Sequence, residues 1–389
     1  MRNMKKALAS FAAGALVLSM AACAPQAPAA PATSAAPAET TAAATEAAKA
    51  EETKAAETEA AAETEAAKAE AGKYGEVTST DKITWKIAHN SAEEVVFHQE
   101  LLKVAERLSE ATNGNFTWEI YPNSQLGSNT EVLEGMTFGT IDGTVPNVAQ
   151  LSAYSTAVDV LQLPYLISDP SNFDGAYKVF SSDILQPIYD ELKESGFIWA
   201  AGWFQGNRHL TTTKTEVHKP EDMKGLKIRT MENEYHMAHF NALGANAIPM
   251  AFSEVFTALQ QGAIDGQENP YLNIYTQGMH EVQGYVIETA HIFDVIPLLF
   301  SRQSYEALPD DYRAVLDAIC EESLMEEWEA GKEAEVKYKQ LIIDNGHCKP
   351  IELTVEERQA FRDAAQPVYD TYIAAHGSEM IDAIAEAQK

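Results

Sequence analysis

The stretch from Gly225 to Pro270 constrains the fold more than any other part of the chain. Apolar Leu226 and Ile228 alternate with Lys227 and Arg229, a period of two that predicts a short strand with Arg229 near its carboxyl end. Asn233 to Leu243 then reads as a helix closed by Gly244, and a second helix opens near Ser253 and ends around Gly262. This is one βα unit followed by another helix. In open α/β sheets ligands bind in the crevice at the carboxyl ends of strands, where helix starts add partial positive charge. Arg229 is thus placed like a contact for a carboxylate. From the residues alone, a surface arginine paired with Glu232 or Glu234 fits the same spacing.

The chain opens with Arg2, Lys5 and Lys6, then an apolar run from Ala7 to Ala22, then Cys23. That order predicts an export signal over residues 1–22, too short to be a membrane span. A cysteine directly after small residues resembles a bacterial lipoprotein box, in which cleavage frees Cys23 for lipidation, although Met20 stands where that motif usually has leucine. Residues 23–76 are rich in Ala, Glu, Thr, Pro and Lys, with Tyr74 their one aromatic residue, and cannot build a core. They read as a solvated spacer tethering a domain outside the cytoplasmic membrane, at the outer face of that membrane or in the periplasm, with the fold starting near Val77.

The formal net charge is −30, nearly all of it on residues 77–389. Nucleic acid and anionic membrane surfaces are therefore poor partners, whereas a few arginines in a closed cleft can still set a local positive field. Cys320 and Cys348 are the cysteines left in the domain. Asp310 to Asn345 reads as one long helix, which would separate them by up to about 40 Å at 1.5 Å per residue. A disulfide needs Cα atoms within about 7 Å, so both are expected to be free thiols.

Ile83, Trp85 and Ile87 alternate in a first strand that ends at His89 and Asn90. A helix to about Thr112 follows, with Leu101, Leu102, Ala105 and Leu108 predicted on one face. Phe116, Trp118 and Ile120 form a second strand, and the loop YPNSQLG leads into a helix from Asn129. Gly139 to Asn147 reads as a third strand with Asn147 close to its end. Two helices, about Phe173–Phe180 and Ser182–Ser195, precede a strand from Phe197 to Phe204. After it the chain crosses between two halves near Arg208.

The ordered blocks GNRHLTT, KPEDMKGLKIRTME, LGANAIPMAFSEVFTALQQGAIDGQENP and HEVQGYVIETAH, with YPNSQLG before them, resemble the DctP-type substrate-binding subunits of TRAP transporters. The resemblance runs from about Ile83 to the C-terminus. It implies an α/β fold of the type II periplasmic-binding-protein kind, with two lobes, hinge strands and a long lobe-spanning helix. Lobe I would comprise residues 77–205 and 295–333, and lobe II residues 206–294 and 334–389. It also implies closure around a ligand and delivery to a permease of one large and one small membrane subunit. By the same resemblance Arg229 pairs with the ligand carboxylate, Arg208, Phe252, Asn269 and Asn90 occupy further cleft positions, and His291 sits close behind the cleft. Asn129 and Asn147 fall where the sialic-acid binders of this kind carry acids, which argues against sialic acid.

A guanidinium offers two parallel donors matched to a carboxylate and keeps its charge in a closed cleft. Asn269 can donate and accept, Phe252 offers an apolar wall, and Glu254 and Glu268 would repel an acid unless they orient an arginine or bond the backbone. No GxSxG, strand-linked GxGxxG, phosphate loop or CxxC is present, so catalysis is not expected. His236 and His239 lie three apart on a helix without a third ligand at recognisable spacing, so neither a metal nor any other cofactor is expected. The asparagines at 90, 129, 147 and 269 favour a hydroxylated monocarboxylate such as a uronate or aldonate. A C4-dicarboxylate held by Arg208 and Arg229 is the alternative, and a ligand-sensing partner of a membrane signalling protein would use the same cleft.

Overall fold

A computed structural model describes residues 72–389; the export segment, Cys23 and most of the spacer lie outside the described residues. Nine strands form one sheet: β1 (Ile83–Ala88), β2 (Phe116–Tyr121), β3 (Gly143–Thr144), β4 (Phe197–Thr212), β5 (Lys227–Thr230), β6 (Asn246–Pro249), β7 (Gly266–Asn269), β8 (Tyr285–Ser301) and β9 (Lys349–Ile351). Their order is β2-β1-β3-β8-β4-β7-β5-β6, with β9 added to β8. At one end β1 pairs in parallel with β2 and β3, and at the other β5 pairs in parallel with β6 and β7. Each end is therefore an α/β lobe whose strands finish facing the middle of the molecule.

Two long strands join the lobes. β4 and β8 run antiparallel from the Phe197–Ser301 pair to the Thr212–Tyr285 pair. Both are buried along nearly their whole length, as expected for strands covered on both faces. Their register shifts between Trp199 and Ala201, Phe204 and Gly206, and Arg208 and Leu210. Such bulges bend the ladder and re-aim side chains. Gly206 sits at φ +130°, a conformation open to a residue without a Cβ, and a Cβ there would lie 2.8 Å from Pro270. The bend and the close approach of Pro270 thus depend on the same glycine.

A helix of 36 residues, Asp310–Asn345, runs along the back of β4. At 1.5 Å per residue it is about 54 Å long, enough to reach both lobes. Trp328 Nε1 donates to the Gly202 carbonyl at 2.7 Å, and Trp203 Nε1 donates to Ser323 at 3.2 Å. Glu327 accepts from the Phe204 N–H at 2.7 Å, and Glu335 accepts from Asn207 Nδ2 at 2.8 Å. Gly331 completes the fit, since a Cβ at that position would stand 2.6 Å from the Phe204 carbonyl. No described helix is long and apolar enough to cross a membrane.

Three sequence expectations are corrected. The third strand is two residues, Gly143–Thr144, because Pro146 has no N–H to extend the ladder and Asn147 already starts a 3-10 turn. The buried face of helix Val96–Ala111 is Phe97, Leu101, Val104, Leu108 and Ala111, with Leu102 exposed and Ala105 half-buried. Leu102 is one residue off the stripe and so about 100° around the helix. Finally, residues 183–185 form a 3-10 turn, and the helix proper is Gln186–Glu194. Cys320 and Cys348 are both free and buried. Beyond the long helix, Val355–Ala364, Gln366–His376 and Glu379–Ala387 are helical, and the last packs back on helix Phe173–Phe180.

Candidate functional site

Between the lobes lies a narrow cleft. It is lined by Asn90 after β1, Asn129 at the start of helix Asn129–Thr137, and Asn147 beyond β3. Arg208 comes from β4, Arg229 from β5, Phe252 from the turn after β6, and Asn269 from the end of β7. The parallel strands place their carboxyl ends here, so the crevice follows from the topology. His291 does not line it; the histidine stands behind, on β8.

The two arginines differ sharply. Arg208, 1% exposed, is fully engaged by the protein. Its Nε donates to Glu268 Oε2 at 2.5 Å, Nη1 to Asp294 at 2.6 Å, and Nη2 to Glu268 Oε1 at 2.9 Å and to Asn269 Oδ1 at 3.2 Å. Burial would raise Glu268, but the Arg208 charge and a hydrogen bond from His291 at 3.1 Å outweigh it and hold the carboxylate well below its usual range. Burial wins at Asp294, which is held above it despite Arg208. His291 Nδ1 is itself fixed by Thr289 at 2.8 Å, and its ring stacks on His239.

Arg229, 2% exposed, has no such partner. Its Nε and Nη2 donate to the Met250 carbonyl at 2.9 and 2.6 Å, and its guanidinium carbon lies 5.9 Å from the Phe252 ring centre. No carboxylate among the described residues is within ion-pair distance. Burial pushes its pKa down to about 10, outweighing the pull of Glu268, with the Arg208 charge acting with burial and Glu232 against it. The cleft wall therefore holds a desolvated guanidinium with no ion-pair partner among the described residues.

The amides around it are of two kinds. Asn269 is held by the protein: Oδ1 accepts from Arg208 and from Asn273, and Nδ2 donates to Gln267. Asn147 Nδ2 donates to Gln205 at 3.2 Å and Asp294 at 3.3 Å, and Asn90 accepts from Ser91 at 3.2 Å. Asn129 Oδ1 and Gln150 Oε1 are buried in the cleft wall without any partner among the described residues. Buried polar atoms usually bond protein or water, so both acceptors are open to a donor in the cleft. The lobes also touch directly: Asn233 Nδ2 donates to Ser152 at 2.9 Å, and Thr130 reaches Glu232 at 3.5 Å.

Sequence reasoning missed three of these residues. Asp294 carried a signal, an acid inside the apolar run IFDVIPLLF that burial would require to be paired. Ser128 lines the cleft but is committed to a capping box with Glu131, legible as a Ser three residues before a Glu at a helix start. Gln150 carried no signal. Glu254 is exposed, Glu268 orients Arg208, and His236 bonds Gln162 at 2.8 Å with Glu268 4.0 Å away.

Comparison with known proteins agrees with this architecture. The chain is 32% identical over 308 residues to the C4-dicarboxylate-binding periplasmic protein DctP of Rhodobacter capsulatus, covering 79% of this chain and 91% of that one. A sugar acid binding protein from Advenella mimigardefordensis in complex with galactonate superposes with a TM-score of 0.76 at 25% identity, covering 80% of this chain and 99% of the other. A TRAP periplasmic solute binding protein from Shewanella oneidensis with bound succinate gives 0.75 at 29% identity, covering 79% and 100%. These are binding proteins of transporters and not enzymes. With residues 87–375 matching "Bacterial extracellular solute-binding protein, family 7", the chain belongs to that family, the DctP-type solute-binding subunits of TRAP transporters.

Proposed function

We propose that this protein captures a hydroxylated monocarboxylate, a uronate or aldonate, and hands it to a TRAP membrane permease. The observation that carries the reading is the asymmetry of the arginines. Arg229 is buried beside the cleft with only a carbonyl for company, while Arg208 is already held by two carboxylates. One free guanidinium calls for one ligand carboxylate, and a bidentate pair is the geometry that satisfies it. The unpaired Asn129 Oδ1 and Gln150 Oε1 are acceptors, so the rest of the ligand should bring donors, which hydroxyl groups supply. The galactonate complex of the Advenella protein supports this class.

A C4-dicarboxylate is the second reading, supported by the named Rhodobacter relative and the succinate complex. It would need a second cation, and Arg208 would have to share its donors. Site roles follow: Arg229 anchors the carboxylate, Phe252 forms a wall, and Asn90, Asn129 and Asn147 meet hydroxyls. Arg208, Asn269 and His291 hold the frame. The lobes divide as residues 77–205 with 295–333 and 206–294 with 334–389, a boundary supported by the bulge that sets Phe204 and Gly206 opposite Val295 and Asp294, with the last helix reaching back onto the first lobe. Lipidation at Cys23 after removal of residues 1–22 would hold the protein outside the cytoplasmic membrane; Cys23→Ser should then release it from membranes, and unchanged membrane fractionation would refute the anchor.

Thermal unfolding against galactonate, glucuronate, succinate and sialic acid tests the ligand class. A ligand at a hundredfold its dissociation constant adds about 2.7 kcal/mol. Stabilisation by a sugar acid at concentrations where succinate has no effect is the expected result; the reverse order would favour the dicarboxylate.

A further inference from the structure

Arg208 faces the cleft, but its neighbours Asn207 and His209 face the other way, into a second cavity of about 730 Å³ at the rear of the hinge. That cavity lies between β4, β8 and the long helix. Its walls include Phe173, Tyr271, Ala290 and Val336, so much of the lining is apolar. Ala290 sits at φ +44° and β4 shifts register beside it, which sets the cavity against the irregular part of the hinge.

Its polar groups are unevenly satisfied. Glu288 is neutralised by Lys339 at 2.6 Å and bonded by the Tyr271 hydroxyl at 2.8 Å. Glu335 is satisfied by the Asn207 N–H and side chain, and burial holds its pKa above the usual range. Left over are cations and donors short of acceptors, and one acceptor without a donor. Arg358 makes no side-chain hydrogen bond or ion pair with any described residue, and Lys332 has only Glu329, exposed, at 3.0 Å and the face of Phe173 at 5.4 Å. His209 Nδ1 accepts from the Ala290 N–H at 3.2 Å, which leaves its proton on Nε2 without an acceptor among the described residues. Asn207, 5% exposed, has Oδ1 buried and unpartnered.

We infer that this rear cavity is a second binding site, for a small organic acid with a flat apolar body, whose carboxylate meets Arg358 and Lys332 and whose hydroxyl or N–H donates to Asn207 Oδ1. The apolar walls accept the body, and Lys339 offsets the charge of Glu288. The site shares no side chain with the cleft that Arg229 marks, so it stands or falls separately from the cleft ligand.

The probe is 4-hydroxybenzoate, titrated by calorimetry into the full-length protein. Saturable binding should persist within about twofold in Arg229→Met and weaken at least tenfold in Arg358→Ala, the loss of one charge-assisted contact. Lys332→Ala, on a different element, should weaken it severalfold, which separates recognition from a local folding defect at Arg358. Equal binding of 4-hydroxybenzyl alcohol, which lacks the charge, would overturn the inference. So would binding abolished by Arg229→Met but indifferent to Arg358→Ala, or no saturation by about 10 mM.

Discussion

Replacing Arg229 with methionine should separate two quantities that usually move together. In the ligand-free protein the guanidinium is buried without a carboxylate, and its pKa falls from 12.5 to about 10. A drop of that size corresponds to about 3 kcal/mol of unfavourable environment for the cation, by 1.36 kcal/mol per pKa unit. Methionine removes that term while keeping most of the packing against Phe252. Against this, the Met250 carbonyl loses both of its donors, which costs about 1–3 kcal/mol where water cannot replace them. Met250 lines the cleft, so water can. The ligand-free variant should therefore range from unchanged to about 3 kcal/mol more stable. Ligand binding moves the other way. Two charge-assisted bonds of about 1.5–3 kcal/mol each are lost, which is roughly a hundred- to ten-thousandfold in affinity. Urea unfolding with and without the acid identified in the ligand panel reads both. A ligand-free variant destabilised by more than about 1 kcal/mol would make Arg229 a structural residue, and an affinity within about threefold of the parent would show that the carboxylate binds elsewhere.

Three further outcomes follow from named groups. Burial holds His236 near a pKa of about 3, below its unfolded value, so its neutral form stabilises the fold above pH 6.5 and that contribution is lost as pH falls below 6.5. His236→Asn should therefore reduce the steepness of acid destabilisation near pH 5 by about 1.4 kcal/mol per pH unit, one proton fewer, and an unaltered slope would mean the imidazole titrates normally. Glu327 shows the opposite sign: burial raises its pKa well above the ordinary carboxylate value, so stability is lost as pH rises from about 4.5 upward. Glu327→Gln should stabilise the protein at pH 8 and not at pH 4, and equal effects at both would refute the assignment. Asn129→Ala should weaken a sugar acid about three- to tenfold, the worth of one neutral hydrogen bond, and leave succinate unchanged; parallel losses for both acids in calorimetry would refute hydroxyl recognition at that position.

What the sequence made legible is what depends on local pattern. The alternation of Leu226, Lys227, Ile228 and Arg229 located β5 to within a residue, and the unbroken helical run from Asp310 to Asn345 gave the long helix its true ends. Repulsion alone was enough to expect Glu268 to orient an arginine instead of touching an acidic ligand, and it grips Arg208 through both oxygens. What stayed hidden is pairing between distant segments. In sequence only Arg229 has acids close by, Glu232 and Glu234, whereas the nearest acid to Arg208 is Glu216. The fold reverses this because β4 lies beside β7 and β8, which brings Glu268 and Asp294 onto Arg208. The nearby acid Glu232 reaches across the cleft to Thr130 and makes no ion pair with Arg229. Under the proposed function a charge becomes a binding site by being denied a partner, and no periodicity records a denial. Gln150 is hidden for the same reason: it is a buried acceptor without a partner among the described residues in a cleft wall that only the assembled fold defines.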